Sequence, residues 1–116
     1  MALAGVFITW GFCSISQLSP ATSTLLGDSG KASEAMATTA TSASSAPTPS
    51  SNQLYRPVLS IAASAPIYFT VGPSVTPPTS PPAIATSGPA VRYYDPSTGP
   101  LDILCNSGDK MAWILA

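Results

Sequence analysis

Histidine is absent from this chain, and with it the commonest general base, nucleophile-activating partner and metal ligand. Charge is almost as scarce. Only 8% of residues are charged: the bases Lys31, Arg56, Arg92 and Lys110 and the acids Asp28, Glu34, Asp95, Asp102 and Asp109. The bases are scattered, so the phosphate-neutralising surface that nucleic-acid binding requires is not expected. The two cysteines, Cys13 and Cys105, are too few for a disulfide scaffold and match no metal-ligand spacing. They read as two buried free thiols or, in an oxidising compartment, as one disulfide. Residues 2–15 are apolar but too short to span a bilayer. They also lack the positively charged start of a secretory signal, so a strand is expected there and no membrane partner. No metal or cofactor is expected.

What the chain has in quantity is punctuation: thirteen prolines and eight glycines, with much Ser, Thr and Ala, more than a helical bundle tolerates. Three zones follow. In residues 1–20, Val6, Ile8, Trp10 and Phe12 recur at every second position, with Phe7 on the opposite parity. That is a strand with one apolar face and a partly covered second face. More than thirty poorly packing residues separate it from the next apolar region. We therefore expect an N-terminal arm that contacts partner subunits through Val6, Phe7, Ile8, Trp10 and Phe12; the competing arrangement folds the arm back as an extra strand of its own domain. Residues 21–53 form a low-complexity Ser/Thr/Ala/Pro linker with almost nothing to bury. Ordering about 25 such residues costs on the order of 25–50 kcal/mol, which suggests a strap ordered only against neighbouring subunits.

Residues 54–116 carry the domain. Strands are expected over 56–62 and 65–71, joined by a tight Ala-Ser connection, and then a loop over 72–83, where five prolines fall. Further strands are expected over 84–86 (a short edge strand), 90–94, 101–105 and 110–115. A type I turn is expected at Asp95-Pro96-Ser97-Thr98 and a hairpin turn at Asn106–Lys110. The fold class is all-β: a small β-sandwich or barrel in the C-terminal half, with an extended N-terminal arm and a low-complexity linker.

Catalytic patterns are weak. Ser107-Gly108-Asp109-Lys110 formally matches a Ser-x-x-Lys pair, but that chemistry needs the serine at a helix start, and this tetrapeptide is a turn. Asp95 and Asp102 are too closely tied to turn and strand surface to flank a sugar cleft. Tyr93-Tyr94 with Arg92 reads as a half-buried strand before it reads as a stacking surface. No glycine-rich phosphate loop precedes a helix. No catalytic residues are assigned, and the chain is expected not to be an enzyme. So little surface charge opposes self-association poorly, which points to a surface covered by partners.

The C-terminal zone also carries a series of elements in a suggestive order. Ala65-Pro66-Ile67-Tyr68-Phe69-Thr70-Val71-Gly72 is a strand ending in an apolar-Tyr-apolar-x-x-Gly element. A Pro-rich loop over 73–82 follows, then the strand over 101–105, then Gly108-Asp109-Lys110-Met111-Ala112-Trp113-Ile114. This order resembles small β-sandwich virion structural proteins of tailed bacteriophages. The resemblance implies a capsid decoration or cement protein, bound to the major capsid protein and present as a homo-oligomer or symmetric assembly. A neck, connector or tail accessory role is the alternative, with neck proteins as partners. It also implies location in the virion, after assembly in the host cytoplasm. A secreted carbohydrate-binding module, with Tyr93, Tyr94 and Trp113 as sugar platform, is the competing class.

Overall fold

A computed structural model of the chain describes residues 4–14, 32–48, 55–79, 81–82 and 89–116. In them the alternating apolar segments have found partner strands. The chain runs β1 (Val6–Ser14), β2 (Ala32–Met36), β3 (Ala40–Thr41), β4 (Tyr55–Ala63), β5 (Ile67–Gly72), β6 (Arg92–Tyr94), a 3-10 turn at Pro96–Thr98, β7 (Leu101–Leu104) and β8 (Lys110–Leu115). These make two four-stranded sheets, β2-β1-β4-β7 (sheet A) and β3-β8-β5-β6 (sheet B), with every pairing antiparallel. The protein is an all-β sandwich.

The period-two pattern decides what fills it. Val6, Ile8, Trp10, Leu59 and Ile61 from sheet A meet Ile67, Phe69, Met111 and Trp113 from sheet B in one buried cluster. Fully burying each large aliphatic side chain contributes about 1.5–3 kcal/mol. Leu101 and Ile103 on β7 close the cluster at the sheet edge as half-buried side chains. Pro57 is tolerated inside the central strand β4 because its carbonyl accepts from the Cys105 amide, beyond the last rung of β7. Its missing N–H therefore falls past the end of that ladder.

The N-terminal arm is not detached. β1 lies between β2 and β4, in register from Val6↔Ala63 to Ser14↔Tyr55, so the competing fold-back arrangement is the one found. The sandwich therefore extends beyond residues 54–116. The described part of the linker belongs to it as well: β2 forms one edge of sheet A and β3 one edge of sheet B, so this segment crosses from sheet to sheet. Ala32–Met36 and Ala40–Thr41 find ladder partners within the chain, and Ser42 and Ala46 add backbone bonds, so this part of the linker is an intramolecular strap in place of the partner-bound one expected. The remainder of the 21–53 linker, 21–31 and 49–53, lies outside the described residues, as does the expected edge strand over 84–86.

The turn before β8 differs from expectation. β7 is in sheet A and β8 in sheet B, so residues 105–109 form a corner between sheets and not a hairpin. The tight connection after β4 does the same at Ser64-Ala65-Pro66, carrying the chain into β5. Asp95-Pro96-Ser97-Thr98 turns as expected, with the Asp95 carboxylate accepting from the Ser97 amide at 2.9 Å. The described residues of the Pro-rich loop form no strand. Val75 of this loop and Pro89 beyond it crowd Gly72 on the outer face of sheet B.

Two consequences are measurable. Removing residues 1–14 should abolish folding of the remainder, since β4 would lose its longest partner and the core would lose Val6, Ile8 and Trp10. Loss of dispersed amide resonances in the truncated chain would show this, and a folded truncation would contradict it. Gly5, at φ +90, donates to Ser64 Oγ and accepts from the Ser64 amide, and an added Cβ would strike the Met36 carbonyl oxygen. Gly5→Ala should therefore destabilise by about 2–3 kcal/mol or more in chemical denaturation, through positive φ and backbone collision together.

Candidate functional site

The residues expected to meet partners divide sharply by face. Val6, Ile8 and Trp10 are fully buried and Phe12 nearly so, all on the inner face of sheet A. Phe7, on the outer face, is the one exposed member, at 40%. An amphipathic strand in its own core and one in a partner's core share the same period, so the pattern alone did not separate them.

On the outer face of sheet B, β5 and β6 place Tyr68 opposite Tyr93, with ring centroids 5.8 Å apart and planes at 59°. Ile114 is the register partner of Tyr68 on its other side, giving a row Tyr93–Tyr68–Ile114. Tyr93 is exposed, while Tyr68 and Ile114 are half-buried. At the far end of this face Thr70 and Ala112 are buried, beside the Gly72 that Val75 and Pro89 crowd. The sugar platform expected from Tyr93, Tyr94 and Trp113 is not assembled. Tyr94 and Trp113 belong to the interior, and the tilted Tyr68–Tyr93 pair offers no flat stacking surface. The Tyr94 hydroxyl donates to the Gly99 carbonyl at 2.6 Å, and burial followed by the nearby Asp95 charge raises its pKa. Arg92 lies 5.7 Å over the Phe69 ring, a cation–π contact at the edge of sheet B.

The other polar constellation was not foreseen. Glu34 occupies an inward position of β2, opposite Ile8. Its carboxylate accepts three hydrogen bonds from the segment after β3: from Ala43 N at 3.1 Å, Ser44 N at 2.9 Å and Ser44 Oγ at 2.6 Å. Ser44 Oγ in turn accepts from the Trp10 indole N–H at 2.8 Å. Burial pushes the Glu34 carboxyl up, but the Ser44 and Ala43 hydrogen bonds, with Lys110, outweigh it and hold the pKa below its usual value. The flanking residues grip sheet B: Ser42 N donates to the Met111 carbonyl, Ser42 Oγ accepts from Met111 N, and Ala46 N donates to the Asp109 carbonyl. The only sequence signal for this was one acid in a Ser/Thr-rich tract.

The remaining candidates have structural partners. Ser107 and Gly108 lie in the exposed corner, where Gly108 has φ +84, and no α-helix among the described residues presents Ser107 to Lys110. The Asp109 carboxylate is spent on the Asn106 amide. Asp102 sits on β7 opposite Ser60 and Asp95 caps its turn, so neither is aimed at a shared cleft. Cys13 and Cys105 are buried free thiols. By strand parity they fall on opposite faces of sheet A, which matches the reading without a disulfide. Burial raises both, Cys105 to about 12 with help from Asp109, so neither supplies a thiolate near neutrality. Among the described residues no group of three or more His, Cys, Asp or Glu side chains is placed to hold a metal ion. No described helix is long and apolar enough to cross a membrane. Comparison with protein-family models, with characterised proteins and with solved structures finds no match.

The two buried indoles provide a paired test. Trp10 Nε1 donates to Ser44, whereas Trp113 Nε1 has no hydrogen-bond partner among the described residues. Both lose packing on replacement by Phe, but only Trp10→Phe removes a made hydrogen bond. Trp10→Phe should cost more than Trp113→Phe by about 1–2 kcal/mol in equilibrium denaturation. Equal costs would show that the Ser44 bond contributes nothing.

Proposed function

We propose that this chain is a non-enzymatic structural subunit of a tailed-phage virion, seated on the capsid as a decoration or cement protein. One observation supports the reading above the others. The two ends of the element series that resembles such proteins are brought together: β5 and β8 are neighbours in sheet B, and Gly72, which ends the first element, is the register partner of Lys110, from Gly108-Asp109-Lys110. Those segments lie far apart in the chain, and their pairing joins the first and last elements of the series.

The mode of attachment changes from the one expected on sequence. With Val6, Ile8, Trp10 and Phe12 inside the sandwich, attachment falls to exposed apolar side chains, of which Phe7 and Tyr93 are the largest on the two outer faces. A neck or tail position uses the same surfaces and differs in copy number.

Quantitative mass spectrometry of purified particles tests the proposal. Copies in fixed ratio to the major capsid protein are expected for decoration, and a ring-sized copy number identifies a neck component. Absence from the particles would sink the virion reading. Phe7→Ser and Tyr93→Ser should leave the thermal midpoint nearly unchanged. At least one should lower incorporation about tenfold or more, as truncation of an interface anchor does.

A further inference from the structure

The sandwich is fastened at one edge by a contact of unusual composition. β2 ends sheet A and β3 ends sheet B, and the segment after β3 hydrogen-bonds to β2 on one side and toward β8 on the other. Its ends are held to sheet B by Ser42 on Met111 and Ala46 on Asp109. Its centre, Ala43-Ser44, is held to sheet A by the Glu34 carboxylate and by Trp10 through Ser44 Oγ. An ionised carboxylate only accepts, which suits three converging donors; a protonated one presents an O–H to them.

We propose that Glu34 is an acid-released clasp, joining the edges of the two sheets while ionised and freeing residues 43–44 from β2 when protonated. The groups facing it are few. Lys110, on β8, favours the ionised form. The register partner on β1 is Ile8, and residues 37–48 carry no titratable side chain. The direction follows from the depressed carboxyl. The clasp's contribution is complete above the unfolded-state value of 4.5 and is lost as pH falls through the lower folded value. Release is local, because Ser42 bonds to the Met111 backbone of β8 and Ala46 to the backbone carbonyl of the corner residue Asp109, groups that do not titrate. This inference does not depend on the virion reading.

Amide hydrogen exchange on the full chain, expressed as protection factors from pH 7 to pH 3, separates the two anchorages. The Ala43 and Ser44 amides should lose protection tenfold or more below pH 4.5, while those of Ser42 and Ala46 keep theirs. Glu34→Gln should leave 43 and 44 weakly protected at every pH. Lys110→Met should move the loss to higher pH, and this arm stands even if Glu34→Gln fails to fold. Retained protection of 43 and 44 at pH 3, or simultaneous loss at all four amides, would overturn the clasp. So would a Lys110→Met profile identical to that of the unaltered chain.

Discussion

Strand β1 has hydrogen-bonded neighbours on both flanks, and that constraint organises the rest of the molecule. A strand paired on both sides must present its inner face to the core, and this one presents Val6, Ile8, Trp10 and Phe12. Its β4 side fixes the register of sheet A. Its β2 side draws the low-complexity segment back onto the domain, and from β2 the chain crosses to the edge of sheet B. The N-terminal residues thus decide where the chemically blandest part of the chain lies.

That segment illustrates how a polar sequence is ordered without large apolar side chains. Each residue fixed costs about 1–2 kcal/mol in backbone entropy. Residues 32–48 contribute just Met36 and Ala46 as buried apolar side chains. The remaining compensation is polar. Ladder bonds to β1 and β8 are joined by side chains that satisfy backbone donors inside the protein, Ser42 for Met111 N and Glu34 for Ala43 and Ser44. Buried donors left without such acceptors would each carry a desolvation penalty, so the network acts as a unit.

Much of the strand content was legible because period two survives in β1, β4, β5, β7 and β8. Alternation tells which residues share a face, but not which sheet a strand joins. The short connections after β4 and β7 suit a hairpin and an inter-sheet corner equally well, and both are corners. β2 was illegible because its inward positions are Ala32, Glu34 and Met36, an alternation of size and burial without an alternation of hydrophobicity. β3, at two residues, is too short to leave a signature. The outer-face row was hidden for a related reason. Tyr68 and Tyr93 are adjacent only once β5 and β6 are known to pair, whereas Tyr93-Tyr94, adjacent in sequence, point to opposite faces. The apolar face of β1 was read correctly as a face to be covered, but the cover is the chain's own second sheet.

The pairing of β1 with β4 also sets the order of events during synthesis. Val6 waits for Ala63 and Trp10 for Leu59, so a ribosome delivers the N-terminal apolar strand long before its principal partner exists. The nearer partner, β2, is short and lies at a sheet edge. Non-local pairing of this kind places loop closure ahead of reward and slows folding relative to locally connected domains. Until β4 emerges, the indole of Trp10 and the aliphatic side chains beside it have no interior to enter. The nascent chain is therefore most exposed to wrong strand pairing at its own beginning.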